Sequence, residues 1–169
     1  MPKTPKCPDI ISNPAHYTQG RAIEPIQIIE DYKLCHHLAC VVKYIARAGR
    51  KTDLMRDLQK AEWYLIREIE RRQKGIEPCA SNLKTKPSHT IQEILDDWKL
   101  SSYLSACLSY ILGSRLLRSQ HREITWIKKK VEVNQDSSVV ANSCEHLVHA
   151  LNHLRFAMNE YQNKQGDKQ

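Results

Sequence analysis

The chain has 169 residues, of which 41% are hydrophobic and 27% are charged, and its formal net charge is +7. This composition is typical of a soluble helical protein with one core of ordinary size or two small ones. No apolar stretch approaches the roughly 20 residues that a membrane-spanning helix needs, which excludes a helical membrane protein. The positive charge is uneven, since residues 1–75 hold 14 Lys and Arg against 9 Asp and Glu, whereas residues 76–169 hold 12 against 10. This excess suits an anionic ligand.

The beginning of the chain and its cysteines indicate the compartment. Residues 1–12 are expected to be a disordered lead-in, because their lysines are not followed by the apolar run of a secretory signal. The six cysteines are scattered without a C-x-x-C pair, so we expect reduced thiols. Both observations predict a cytoplasmic protein.

The first half of the chain predicts three helices. The first begins near Pro25 and ends at about Lys33. The second covers about 35–48, and the third begins after Thr52 or Asp53 as its cap. One face of the third helix is an apolar stripe at helical spacing, which predicts that it is buried. The stripe consists of Leu54, Leu58, Ala61, Leu65 and Ile69.

The pattern recurs in the second half after a linker. Residues 75–90 contain two prolines and little periodicity, as expected of a linker. The stretch 30–34 then reappears 66 positions later as 96–100, with the shared order of two acidic residues, an aromatic residue, Lys and Leu. The third helix recurs at a larger offset, which requires an insertion between Gly113 and Ser138.

These patterns predict an all-α fold in which two related helical half-domains pack together as a degenerate internal duplication. Residues 13–74 would form the unit that carries the polar signature, and residues 91–162 the second unit, followed by a disordered tail at 163–169. Chance similarity between amphipathic helices is the alternative. The insertion near 121–134 is compatible with either a short strand or a helix.

A dense run of polar residues overlies the helical pattern in the first unit. Amphipathicity does not explain why Lys43 and Arg47 lie one turn apart, or why Lys60 follows beside aromatic residues. Two cations at that spacing repel each other unless an anion or a carboxylate lies between them. Phosphate is the commonest small anion that would fill this position. The structural alternative is a solvated basic helix face.

The order of these residues resembles a family of small phage-type nucleotide kinase-like proteins, which is also catalogued as a domain of unknown function. The family pattern is N-P-x-H-Y, a Gly, a hydrophobic residue before Glu, K-Y-x-x-R, a Lys, and D-L-x-K-A-x-x-Y. It falls here on Asn13, Pro14, His16, Tyr17, Gly20, Ile23, Glu24, Lys43, Tyr44, Arg47, Lys51, Asp57, Leu58, Lys60, Ala61 and Tyr64. The chain departs from the pattern at Ala39 and Cys40, where the family usually has Gly and Asn.

The resemblance implies transfer of phosphate from ATP or another nucleoside triphosphate, with Mg²⁺, to a deoxynucleoside monophosphate. Lys43, Arg47 and Lys60 would be the catalytic residues that hold phosphates and neutralise their charge. Nucleotides are the implied partners, while neither a membrane nor a nucleic acid is expected, and the oligomeric state is open. The implied nucleotide-binding residues are Asn13, His16, Tyr17, Gly20, Lys51, Asp57 and Tyr64.

Each of the weaker site residues also has a structural interpretation. His16 and Tyr17 follow an Asn-Pro turn signal and are compatible with an entry turn, and Gly20 with a second turn. Asp57 is compatible with a carboxylate favoured by the helix N-terminus, or with an ion pair to Lys60.

Two other functions remain as alternatives to a kinase. One is a module that binds a nucleotide without turnover. The other is a helical metal-dependent pyrophosphatase, which is less favoured because Glu68 and Glu70 point to different helix faces. The sequence has no G-x-x-x-x-G-K-[ST] loop, so phosphates would have to be held by side chains.

Two clusters have residue types that bind metal ions, and neither predicts a metal site. Adjacent histidines within Cys35–Cys40 diverge by about 100° on a helix and cannot easily converge on one ion. Glu145, His149 and His153 have a spacing that can chelate, but they flank a predicted buried stripe.

Overall fold

The computed structural model describes residues 14–50, 53–76, 86–129 and 138–166, with side chains described outside 117–129 and 138–143. The described residues form seven helices and no strand, which confirms the predicted all-α class. The helices are α1 (Ala15–Thr18), α2 (Pro25–Asp31), α3 (His36–Arg47), α4 (Leu54–Gln73), α5 (Ile91–Trp98), α6 (Ser102–Lys129) and α7 (Ser138–Gly166).

Local chemistry at the helix starts explains the predicted helices, which are confirmed as α2, α3 and α4. Pro25 occupies the first turn of α2, where its missing N–H leaves no bond unmade. Asp53 caps α4, since its side chain accepts a hydrogen bond of 3.0 Å from the backbone N–H of Met55. Short α1 was not predicted, because its four residues carry no apolar period.

Two helical hairpins form the core of the molecule. Helix α3 packs against α4, α6 packs against α7, and the two hairpins meet through α4 with α7 and through α3 with α6. Helices α1 and α2 lie against α3, and α5 lies against α6. The centre of the predicted stripe on α4 and its counterpart on α7 are at most 1% exposed, and they comprise Leu58, Ala61, Leu65, Leu147, Ala150 and Leu154.

The first and second halves also exchange hydrogen bonds through two carboxylates. The side chains of Asp31 and Asp97 each accept two backbone N–H bonds from the other half of the chain. The bonds run from Ser88 (2.8 Å) and His89 (2.9 Å) to Asp31, and from Ala22 (2.9 Å) and Ile23 (2.9 Å) to Asp97. Burial alone would raise the pKa of Asp31, but the bonds from Ser88 and His89 outweigh it and hold the pKa below its ordinary value.

The aromatic residues next to these carboxylates repeat the exchange. The hydroxyl of Tyr32 donates to the carbonyl of His89 at 2.9 Å, and the indole N–H of Trp98 donates to the carbonyl of Ile23 at 2.8 Å. These reciprocal contacts follow the same offset of 66 positions as the sequence similarity between the halves. They are compatible with the duplication hypothesis, and a common origin of the two units stays a prediction.

Helix α6 extends into the predicted insertion, and α7 extends into the segment expected to be a disordered tail. Residues 121–129 of the insertion belong to α6 and are helical, whereas residues 130–137 lie outside the described part. Helix α7 continues to Gly166, into the segment expected as a tail. Among the described residues, none of the helices combines the length and apolarity required to cross a bilayer.

Replacing Asp97 tests whether the reciprocal bonds hold the two halves together. An Asp97→Asn side chain presents one acceptor oxygen and an amide that meets a backbone N–H unfavourably. We expect the free energy of unfolding in urea to fall by about 1 kcal/mol. The control is Asp96→Asn, because exposed Asp96 accepts a bond of 2.9 Å from Gln92 of its own helix and, among the described residues, has no bond to the other half. Equal stability of the two variants would contradict the prediction.

Candidate functional site

Lys43, Tyr44, Lys60 and Tyr64 form one surface between α3 and α4, which we call the cationic aromatic surface. The ammonium groups of Lys43 and Lys60 lie 5.0 and 5.5 Å from the centre of the Tyr44 ring. The rings of Tyr44 and Tyr64 stack with their centres 5.9 Å apart. Helical spacing on each element places these groups on neighbouring faces, so the predicted lysines meet around one aromatic ring.

Arg47 belongs to the same surface but has an internal partner. Its guanidinium lies 4.8 Å from the centre of the Tyr44 ring and donates two hydrogen bonds, of 2.7 and 3.1 Å, to fully buried Asp57. The hydrogen bond to Asp57 is the main cause that raises the pKa of Arg47 above its ordinary value, despite partial burial. The alternative pair of Asp57 with Lys60 is not formed. Asp57 therefore holds α3 to α4 through Arg47.

Lys43 and Lys60 differ from Arg47 in that neither ammonium is paired with a carboxylate among the described residues. Lys43 is half-buried and Lys60 is exposed. Each gains from the face of Tyr44, by about 0.5–1 kcal/mol for a cation at such a site. Two like charges beside one ring nevertheless leave a local positive potential that an anion would neutralise.

The turn before α2 brings part of the predicted N-terminal site to this surface. Tyr17 in α1 is one of the smaller causes of the raised pKa of Arg47, so it lies close to that guanidinium. The ring of His16 lies 4.2 Å from that of Tyr17. Gly20 is exposed with a φ of +70°, so it serves as a turn residue in a conformation that favours glycine. The predicted site residues Asn13 and Lys51 lie outside the described residues.

Glu68 forms a second buried ionic cluster that the sequence did not reveal. Its carboxylate is fully buried and accepts bonds from Arg72 (3.0 Å), Arg71 (3.2 Å) and His37 (3.1 Å). Burial alone would raise the pKa of Glu68, but the charge and hydrogen bond of Arg72 outweigh it, so the pKa lies below its ordinary value. The i, i+3 and i+4 spacing to Arg71 and Arg72 was the available signal.

Three of the four carboxylates of α4, those of Asp57, Glu62 and Glu68, are paired with basic side chains. Both oxygens of Asp57 are bound by Arg47, and Glu68 is engaged by its basic neighbours. Glu62 is bound by Arg155 at 2.6 Å. A magnesium ion needs carboxylate oxygens that face its own coordination shell, and these oxygens are committed to cations.

The histidines of α7 pack around an aromatic ring. His149 and His153 stack on Tyr110, with ring centres 5.2 and 5.5 Å away, and His146 meets the same ring at 5.5 Å. Within the part of the chain that the structure describes, no three His, Cys, Asp or Glu side chains are grouped to hold a metal ion. Glu145, His149 and His153 are therefore not grouped to hold a metal ion.

The fold and the site define a helical protein with a cationic aromatic surface on its first hairpin. Residues 11–66 match the model of a family described as Protein of unknown function (DUF3310). The match covers the polar signature and ends inside α4. The comparison with curated proteins gave no match. The comparison with solved structures also gave none.

The family match corrects the resemblance to phage-type nucleotide kinases. The residues that carried this resemblance fall within 11–66, and the family model that matches there describes a family of unknown function. Nothing in the comparisons points to a nucleotide kinase family. The assignment to a kinase family was therefore wrong, and the description as a phage-type transferase is unsupported.

Arg47→Met tests whether the Arg47–Asp57 pair is a structural tie. The substitution leaves a carboxylate that is 0% exposed without its cation, so we expect unfolding free energy to fall by about 3 kcal/mol in urea. The matched control is Arg56→Met, because Arg56 is exposed and its removal should change stability by less than about 0.5 kcal/mol. Combining Arg47→Met with Asp57→Leu should restore most of the loss. A double variant no more stable than the single one would contradict this account.

The lowered pKa of Glu68 predicts how stability depends on acid. A carboxylate whose pKa is lower in the folded state stabilises the fold at pH values above its unfolded-state pKa. This contribution is lost as the pH falls through the lowered folded-state pKa. Wild type should therefore lose stability as the pH falls below about 4.3. Glu68→Gln should be less stable at neutral pH but lose less on acidification, whereas Glu70→Gln, at an exposed position, should follow wild type. Urea unfolding at a series of pH values measures this, and parallel curves for Glu68→Gln and wild type would refute it.

Proposed function

We propose that the cationic aromatic surface binds a nucleotide, with its phosphate at Lys43 and Lys60. The observation that carries the proposal is the meeting of two ammonium groups over Tyr44 without a carboxylate partner among the described residues. Arg47 stands beside them, but its charge is balanced by Asp57. The available charge is therefore that of the two lysines, which suits the dianion of a phosphate monoester.

The aromatic rings support a nucleotide over inorganic phosphate. Tyr64 stacks on Tyr44 and is contacted by the edges of His36 (5.9 Å) and Trp63 (4.9 Å), so rings continue from the lysines along α4. Cations that hold phosphate next to aromatic side chains suit a nucleotide, because any base can stack on an aromatic ring through its π-face. Tyr17 at Arg47 adds a hydroxyl on the side of α1.

Binding of long nucleic acid is less well supported than binding of a single nucleotide. Nucleic-acid affinity comes from neutralising many phosphates along a basic stripe. Here Arg67, the next basic residue along α4, lies over the ring of Trp63, and Arg71 and Arg72 beyond it are engaged with buried Glu68. The surface therefore offers few available cations for a polymer.

Transfer of phosphate from ATP or another nucleoside triphosphate stays a prediction. Such transfer depends on positioning and on neutralising charge, and the two lysines suit both tasks. Asp57, the predicted site carboxylate, is bound by Arg47 and so does not present free oxygens to Mg²⁺. Binding is accordingly the function proposed, and turnover is one outcome of the experiment.

Titration calorimetry with nucleoside monophosphates tests the binding proposal. Lys43→Ala and Lys60→Ala should each weaken binding about tenfold, because each removes a charge-assisted bond worth about 1.5 kcal/mol. Lys74→Ala is the control, since Lys74 is exposed beyond the end of α4 and distant in sequence from both lysines.

The same samples separate the competing functions. Chromatography after mixing wild type with ATP, Mg²⁺ and a monophosphate would reveal a new diphosphate if phosphate is transferred. Tight binding of long oligonucleotides with a steep salt dependence would point to nucleic acid instead. Absence of monophosphate binding by wild type, or equal affinities of the lysine variants and the control, would overturn the proposal.

A further inference from the structure

Trp63 is the large aromatic side chain that lies next to the cationic aromatic surface and faces solvent. It is 56% exposed, although two neighbours fix its ring. Tyr64 meets it edge to face at 4.9 Å, and the guanidinium of Arg67 lies 5.6 Å from its ring centre. An indole that is held in place and still 56% exposed can present apolar surface to a ligand.

The position of Trp63 on α4 relates it to the phosphate site. It follows Lys60 by three residues, so both side chains lie on the same side of the helix, slightly less than one turn or about 4.5 Å apart along the axis. The sugar of a nucleotide separates base from phosphate by a comparable span. A phosphate at Lys60 therefore leaves the base within reach of the indole.

We propose that Trp63 is the platform on which the base of the nucleotide stacks. This inference rests on the proposed function, because it requires the phosphate to lie at Lys43 and Lys60. In this proposal, Trp63 binds the base while Lys43 and Lys60 bind the phosphate. Different bases should be tolerated, because stacking recognises the π-face that all bases share. The edge contact of Tyr64 and the cation of Arg67 preorganise the indole for this contact.

The test compares a nucleoside monophosphate with inorganic pyrophosphate by titration calorimetry. Trp63→Ala should weaken monophosphate binding at least about fivefold, the lower end of what one stacked base contributes. Its affinity for pyrophosphate should be unchanged, because pyrophosphate has no base. Trp63→Phe retains a flat ring and should bind the monophosphate within about threefold of wild type.

The control is Phe156→Ala on α7, which removes another exposed aromatic ring, 54% exposed and stacked on Tyr103 at 5.6 Å. It should change neither affinity. Equal weakening of monophosphate and pyrophosphate by Trp63→Ala, or no change in either, would overturn the base platform while leaving the phosphate site in place. If wild type binds neither ligand, the proposed function itself fails, and the inference fails with it.

Discussion

Two buried carboxylates on α4 determine how the first hairpin is built. Asp57 and Glu68 are fully buried, and a carboxylate that leaves water must be paired with cations or hydrogen-bond donors. Arg47 of α3 meets the first and His37 of α3 meets the second, about three helical turns further along α4. Because these contacts lie at the two ends of α3, they fix its register against α4. Tyr44 lies between these two contacts on α3. The register therefore places its ring beneath the ammonium of Lys60 on α4.

The pairing also explains which cations are available at the surface. A guanidinium fork matches a carboxylate with two parallel bonds, so Arg47 is the natural partner for buried Asp57 and contributes little net charge outward. An ammonium is a compact, strongly hydrated point charge that exchanges partners easily. Lys43 and Lys60 retain this property beside Tyr44. The same helix face therefore combines a fixed structural cation with two cations suited to an exchangeable anion.

Much of the fold was predictable from periodicity, whereas the partners of the charges were not. The apolar period predicted α2, α3 and α4, and the spacing of Lys43, Arg47 and Lys60 predicted that cations would gather on one surface. Local spacing on α4 allowed a pair between Asp57 and Lys60, but the actual partner comes from another helix. The burial of Glu68 could not be predicted for the same reason. It depends on how α3 covers α4 and not on the pattern of α4 alone.

The second unit shows how an aromatic residue packs at the position of Tyr44 when no lysines surround it. Under the duplication hypothesis, Tyr110 corresponds to Tyr44, and Ser109 stands where Lys43 would. Tyr110 still lies between the two helices of its hairpin and stacks with His149 and its neighbours on α7. An aromatic residue at this position is therefore sufficient to pack the hairpin without ammonium groups around it. Packing at this position therefore does not require ammonium groups, which favours a ligand as the reason for the lysines of the first unit.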